Sequence, residues 1–206
     1  MWFLEDIPRP TNQPTHPSGA IPEKIRVVCH AKGKLGAWLV VEESLYNPDG
    51  DHRWFEHPLG SDIDVVALPL QNISTDIEIF PMDLSLANAD LVPQPAMAIS
   101  IIGFPFGLSA GGAWPIWKTG HIATGPDIDF DGRPSFLIDA TTRSGMSGLP
   151  VVVRSSGGHM SRSGSYILAG GVTTKFLGIY SGRIRDDVEL GRVWRPKVLE
   201  DILSNC

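Results

Sequence analysis

The sequence predicts a mainly β protein built from many short antiparallel strands. Glycine and proline are both plentiful, at 22 and 17 of 206 residues, and they favour turns over long helices. Short apolar or alternating segments recur along the chain, and clusters of Gly, Asp or Ser separate most of them. This spacing is typical of a β-barrel or a β-sandwich. At 42% hydrophobic and 19% charged residues, the chain can bury a sizeable core.

The first part of the chain begins with a proline-rich loop and continues into predicted strands. Five prolines lie within residues 8–22, where each removes a backbone N–H and biases its predecessor away from helix. Residues 23–30 then alternate, with Ile25, Val27 and Cys29 on one face, which predicts a strand. Further strands are predicted at residues 37–42 and 64–70. Residues 71–94 are irregular and are interpreted as an interdomain connection.

The second part of the chain carries most of the predicted strands and one helix. Strands are predicted at residues 96–103, 117–124, 135–140, 150–154, 166–172 and 177–180. Residues 155–165, rich in Ser and Gly, predict a surface hairpin loop. Near the C-terminus, Pro196 suits the first turn of a helix, and apolar residues follow it at helical spacing. We therefore predict a short closing helix.

Composition excludes several classes of function. The net charge is −6, and Lys and Arg are scattered, so nucleic acid is not an expected partner. No apolar run approaches the roughly 20 residues of a membrane span, and the N-terminus lacks signal-peptide features, so we expect no membrane partner and a cytoplasmic location. Cys29 and Cys206 are expected to be free thiols, and no Cys/His spacing predicts a metal site or another cofactor.

The segment at residues 141–150, TTRSGMSGLP, is the strongest candidate for chemistry. Ser147 is followed directly by Gly148 and preceded two positions earlier by Gly145. A serine nucleophile needs an exposed hydroxyl on a tight turn, with backbone N–H groups aimed at the developing oxyanion, and glycine permits such a turn. The nucleophile elbow of α/β-hydrolases is excluded, because that motif needs glycine where Leu149 stands. The alternative is that Ser147 is an ordinary turn residue.

Three segments together resemble trypsin-like serine peptidases over roughly residues 60–205. Residues 145–150, Gly-Met-Ser-Gly-Leu-Pro, resemble the G-x-S-G-G-P signature, with Leu149 in place of the second paired glycine. Residues 178–182, Gly-Ile-Tyr-Ser-Gly, resemble the segment that lines the substrate channel. Asp64 opens a stretch similar to the one that carries the triad aspartate; Asp62 offers a second register, and a strand-start cap is the structural alternative for Asp64.

The resemblance implies two antiparallel β-barrels. The first, residues 1–86, is incomplete and includes the proline-rich loop; the second, residues 87–206, carries the nucleophile and the closing helix. It implies peptide-bond hydrolysis of a protein or peptide substrate, with Ser147 as nucleophile, Asp64 as triad carboxylate and the N–H groups of Gly145 and Ser147 as oxyanion hole. The implied substrate pocket is lined by Thr141, Thr142, Ser181 and Gly182. Without an acid at its base, this pocket is expected to take small or apolar side chains.

The histidine that the resemblance requires is not evident in the sequence. It should precede Asp64, follow at least two strands and act as general base. His30 is the best candidate, although its alternating strand favours a structural role. The alternative, which we favour, places the histidine upstream of Met1, with residues 9–22 as the loop that follows it. The chain alone would then be nearly inactive.

Three functions therefore compete at the level of sequence. The first is a trypsin-like serine endopeptidase or a fragment of one. The second is a non-catalytic relative that binds peptides through the retained channel. The third is an unrelated β-barrel binding module.

Overall fold

The computed structural model describes residues 22–34, 36–111, 114–143, 145–185 and 187–205. The chain divides into two compact units. Unit 1 takes its described residues from ranges 1–80, 109–114 and 198–206, and unit 2 comprises those of ranges 81–108 and 115–197. Except for Pro22, the predicted proline-rich loop lies outside the described residues, and so does Cys206.

Unit 1 contains an open antiparallel sheet. Its strands are β1 (Lys24–Ala31), β2 (Trp38–Ser44) and, further along the chain, β5 (Ile77–Glu78), in the order β2-β1-β5. The strand predicted at residues 23–30 is confirmed as β1. Val27 is buried against Val41 and Ile77, and Ile25 and Cys29, on the same face as Val27, pack against this core. Partial burial raises the pKa of the Cys29 thiol.

A separate two-stranded pair in unit 1 replaces the strand predicted at residues 64–70. It consists of β3 (Phe55–Glu56) and β4 (Val66–Ala67). The prediction is wrong beyond these two residues of β4. The apolar run suggested a long buried strand, yet Val66 and Ala67 are only half-buried. Pro69 also has no N–H with which to extend the ladder.

A fully buried carboxylate holds the segment after β4 to β2. Glu43 Oε1 accepts hydrogen bonds from the backbone N–H groups of Gln71 and Asn72 at 2.9 and 2.7 Å. Its Oε2 lies 3.4 Å from the guanidinium of Arg53, whose side chain is 11% exposed. These donors replace the water that Glu43 loses on folding, so the carboxylate is a structural crosslink within unit 1.

Glu43→Gln is expected to lower the free energy of unfolding by about 3 kcal/mol. The amide cannot accept at both oxygen positions, and Arg53 loses its buried counter-charge. The measurement is urea unfolding followed by tryptophan fluorescence. The matched control is Glu42→Gln, whose half-exposed carboxylate contacts Arg26 and Lys24 at the surface and should contribute less than about 1 kcal/mol. Equal losses in the two variants would contradict the structural role of Glu43.

Unit 2 contains a closed six-stranded antiparallel barrel. The strands in chain order are β6 (Ala98–Gly103), β7 (Ile116–Ile122), β8 (Ser135–Asp139), β9 (Pro150–Ser156), β12 (Val172–Arg183) and β13 (Leu190–Trp194). Their order around the barrel is β12-β13-β8-β7-β6-β9. The predicted mainly β fold and its antiparallel barrel are therefore confirmed. The two-barrel arrangement stays a prediction.

Two predictions within unit 2 are wrong. The strand predicted at residues 166–172 is not continuous, because Gly170 and Gly171 interrupt it. Residues 166–167 belong to β11 (Tyr166–Ile167), whereas Val172 begins the 12-residue strand β12, which also absorbs the strand predicted at 177–180. Residues 155–165 were predicted as a loop, but they include a short strand, β10 (His159–Met160), which pairs with β11.

The predicted closing helix is confirmed as α1 (Pro196–Leu203). Val198 and Ile202, one turn apart, are fully buried. Within unit 1, His57 Nε2 lies 3.5 Å from the Asp201 carboxylate on this helix, and His57 Nδ1 accepts a hydrogen bond from the Leu59 N–H. The buried His57 side chain therefore links α1 to the segment at Leu59. No helix among the described residues is long and apolar enough to cross a membrane.

Candidate active site

Ser147 lies on a tight turn between β8 and β9 in unit 2. Gly145 and Gly148 have φ of 80° and 82°, in the left-handed region that favours glycine. The Gly148 N–H donates to the Tyr180 carbonyl at 2.7 Å, and the Tyr180 N–H donates to the Leu149 carbonyl at 2.9 Å. The two glycines therefore form the turn, and β12 holds it in place from the side.

Buried apolar residues anchor the turn from below. Met146 and Leu149, on either side of the Ser147–Gly148 pair, are 0% and 1% exposed. The Leu149 side chain occupies the space above Gly103, where a Cβ would overlap it. The Arg143 N–H lies 3.3 Å from the Met146 sulfur. With Met146 and Leu149 fixed in the core, the turn presents Ser147 and Gly148 to solvent.

The Ser147 hydroxyl is exposed and oriented by β12. Its Oγ donates a hydrogen bond to the Ser181 carbonyl at 3.2 Å. Gly182 adds no side chain here, and a Cβ on it would come within 3.8 Å of the Oγ. Among the described residues, the N–H groups of Gly145 and Ser147 have no hydrogen-bond partner, so both are available to a ligand oxygen.

The two threonines before the turn differ in exposure. Thr141 is exposed, whereas Thr142 is 1% exposed, and its hydroxyl lies 2.5 Å from the phenol oxygen of Tyr180. Tyr180 itself is 2% exposed, and a Cβ on Gly191 of β13 would overlap its ring. Tyr180 lies within the motif at residues 178–182, but no role was predicted for it. A β-bulge between Phe176 and Gly178 interrupts the alternation of β12, so periodicity alone does not mark Tyr180 as inward-facing.

The environment of Tyr180 favours its neutral form. Burial raises the pKa of the phenol, and this effect outweighs the hydrogen bond from Thr142 and the charge of Arg183, which lower it. Glu189 adds a smaller contribution that raises the pKa. Tyr180 is therefore a packed, hydrogen-bonded structural group.

Tyr180→Phe is expected to destabilise the protein by about 1 kcal/mol at neutral pH, because the Thr142 hydroxyl is left buried without its partner. Since the pKa in the folded state is above the unfolded value of about 10, the contribution of Tyr180 is fully present below pH 10 and decreases as pH rises above it. Urea unfolding between pH 7 and 11 should therefore show the two proteins converging at alkaline pH. The control is Tyr166→Phe at an exposed tyrosine. A constant difference at every pH would contradict this prediction.

The other predicted catalytic residues lie in unit 1. Asp64 is exposed and sits between the turn Gly60–Asp62 and β4. His30, near the end of β1, packs its ring against Phe80 and Trp114 at centroid distances of 5.5 and 5.3 Å. This aromatic cluster gives His30 a packing role. Because Ser147 belongs to unit 2, the triad remains a prediction, and so does the choice between Asp62 and Asp64.

The fold and this turn define a class, a β-barrel protein that presents an exposed serine on a turn with two left-handed glycines. No protein-family profile matches the sequence, and no curated protein matches it significantly. The described residues hold no group of three or more His, Cys, Asp or Glu side chains placed to bind a metal ion. The functional argument therefore rests on the serine turn and its surroundings.

Proposed function

We propose that the chain is a trypsin-like serine endopeptidase domain in which Ser147 is the nucleophile. The observation that carries this proposal is the exposed Ser147 hydroxyl on the turn formed by Gly145 and Gly148. The turn joins two consecutive strands of an antiparallel barrel, and the resemblance noted in the sequence places the nucleophile in such a loop. The short C-terminal helix α1 fits the same family.

The local geometry suits acyl transfer. Ser147 Oγ would attack the peptide carbonyl carbon, and the carbonyl oxygen would take the electron pair and accept hydrogen bonds from the N–H groups of Gly145 and Ser147. Each such donor typically contributes about 10²–10³ in rate. The serine proton passes to a base and then to the leaving amine. Water next adds to the acyl-serine ester. Cleavage of the bond between the acyl carbon and Ser147 Oγ then releases the carboxylic acid and restores the serine hydroxyl.

An unpaired strand edge beside the turn favours a peptide substrate. The ladder between β12 and β9 ends at Ile179 and Pro150, whereas β12 continues to Arg183. Tyr180 is bonded to the turn itself, and in the described part of unit 2 no strand pairs with the next two residues, Ser181 and Gly182, on that side. An extended peptide can add to such an edge through backbone hydrogen bonds. Its carbonyl would then be held next to Ser147.

The proposal also requires a general base. The candidate offered by the sequence is His30, with Asp64 or Asp62 as the orienting carboxylate. Specific activity depends on whether a histidine acts on Ser147, because serine triads that lack their histidine keep a small residual rate.

A second candidate, a non-catalytic peptide-binding module, is favoured by one observation. In the described part of unit 2, the hydrogen-bond partner of Ser147 Oγ is the Ser181 carbonyl and not an imidazole nitrogen. A hydroxyl held in this way is not activated. The free edge of β12 would still bind an extended peptide.

A fluorophosphonate probe separates the two candidates. An activated serine forms an Oγ–P bond and expels fluoride, which leaves with the serine proton as HF. We expect the chain to be labelled and Ser147→Ala to be unlabelled. The control is Ser155→Ala, which removes a β9 hydroxyl that donates to the Gly158 carbonyl and should label normally. Absence of labelling in the unmodified chain would favour the binding module.

A further inference from the structure

We infer that the ring of Tyr180 limits the substrate residue bound beside Ser147 to glycine or alanine. This inference rests on the proposed function, since it concerns the residue whose carbonyl Ser147 attacks. The inference names the class of substrate for the proposed site, and it is argued from the contacts of Tyr180 within unit 2.

The position of the attacked carbonyl determines where the substrate side chain must go. The carbonyl carbon has to approach Ser147 Oγ while its oxygen meets the N–H groups of Gly145 and Ser147. The Cα of that residue is one bond away from the carbonyl. The resemblance places the pocket for its side chain between Thr141 and Thr142, before the turn, and Ser181 and Gly182, at the end of β12. Within unit 2, Thr142 and Tyr180 meet between these two walls.

Tyr180 already occupies this space. Its phenol oxygen reaches Thr142 Oγ1, on the side of the segment that precedes the turn. Its ring packs so closely against Gly191 of β13 that the glycine has no room for a Cβ. Thr142 and Tyr180 are 1% and 2% exposed, so solvent does not reach the gap between them. A pocket that would hold a large side chain is thus filled by the protein itself.

Several contacts hold the ring in place. Both backbone polar groups of Tyr180 are bonded to the residues that follow Ser147, the carbonyl to the Gly148 N–H and the N–H to the Leu149 carbonyl. Rotating the side chain out would leave the Thr142 hydroxyl buried without its partner and would open a cavity beside Gly191. The closed pocket is therefore a property of the folded barrel, and a substrate side chain larger than a methyl group has no room there.

The test compares two peptidyl diphenyl phosphonates that carry an alanine-type or a phenylalanine-type side chain. In each reaction Ser147 Oγ bonds to phosphorus, and phenoxide leaves and takes up the serine proton to form phenol. We expect the unmodified chain to react with the alanine reagent about 10²-fold faster, a factor in the range that pocket size supplies in other enzymes. Tyr180→Ala should reverse the preference. Tyr180→Leu, which keeps an apolar filling if the alanine variant does not fold, should reduce it. Tyr166→Ala is the control.

The outcomes separate the inference from the proposed function. Ser147-dependent reaction at equal rates, or faster with the phenylalanine reagent, overturns the inference and leaves the function standing. If neither reagent labels Ser147, the proposed function fails, and the pocket is then tested by NMR titration with acetyl-Pro-Ala and acetyl-Pro-Phe carboxylates. Chemical-shift changes at the Gly145 and Ser147 amides that occur with the alanine peptide and not with the phenylalanine peptide support a closed pocket. Binding of the phenylalanine peptide, or of neither peptide, overturns the inference.

Discussion

Gly178→Ala is expected to lower the free energy of unfolding by about 4 kcal/mol or more, enough to unfold a domain of ordinary stability. Gly178 has φ of 134°, a conformation that L side chains rarely adopt. A Cβ at this position would overlap the backbone carbonyl of Trp194 on β13, and a backbone atom cannot move aside as the end of a side chain can. The measurement is thermal and urea unfolding followed by circular dichroism.

The matched control for this substitution is Gly170→Ala. Gly170 lies in the loop before β12, and no described atom lies within 4 Å of the position its Cβ would take. This variant should change stability by less than about 0.5 kcal/mol. Similar unfolding midpoints for the two variants would contradict the close packing of β12 against β13. Because Tyr180 and Ser181 follow Gly178 on the same strand, a loss of order here should also displace the Ser147 turn.

In the protein whose Ser147 is served by a general base, Ser147→Ala is expected to reduce peptide hydrolysis by about 10⁴-fold or more, to the residual level of the oxyanion donors and binding groups. Since Ser147 is exposed and its hydroxyl bonds to a single carbonyl, the same substitution should leave the melting temperature nearly unchanged. Peptide cleavage followed by mass spectrometry, with a thermal melt of each protein, checks both statements. Cleavage that persists in the variant would show that the activity arises elsewhere.

A comparison with Gly148→Ala makes this prediction more specific. Alanine at φ of 82° is strained, so the turn should shift and activity should fall even though the nucleophile is retained. Stability should fall as well, because the strained backbone would shift and weaken the hydrogen bond from the residue 148 N–H to the Tyr180 carbonyl. Ser147→Ala, in contrast, is expected to separate activity from stability. Parallel losses of stability in both variants would assign Ser147 a structural role.

The local features of this protein were predictable from short stretches of sequence. The alternation of Ile25, Val27 and Cys29 predicted β1, because side chains of a strand point to opposite faces in turn. Glycine at 145 and 148 predicted a tight turn, since these are the residues that adopt positive φ without strain. Pro196 followed by apolar residues at helical spacing predicted α1. Each of these signals lies within one segment of the chain.

Other features depend on residues far apart in the chain and were not predictable. Glu43 meets Gln71 and Asn72 across a fold of unit 1, and no local pattern marks an acidic strand residue as fully buried. Strands were predicted at residues 166–172 and 177–180, whereas the barrel has one strand, β12, over residues 172–183. Gly178 lies where this strand passes close to Trp194, a contact that no local pattern indicates.

The sequence by itself determined that the chain is mainly β, that a short helix closes it and that Ser147 sits on a glycine turn. Backbone preference and side-chain periodicity act over a few residues, so they can be read directly. Tertiary structure alone decided that Tyr180 fills the space between Thr142 and Gly191. Closing the barrel brings β8, β12 and β13 together, and the burial and hydrogen bonding of that ring depend on neighbours from all three parts of the chain.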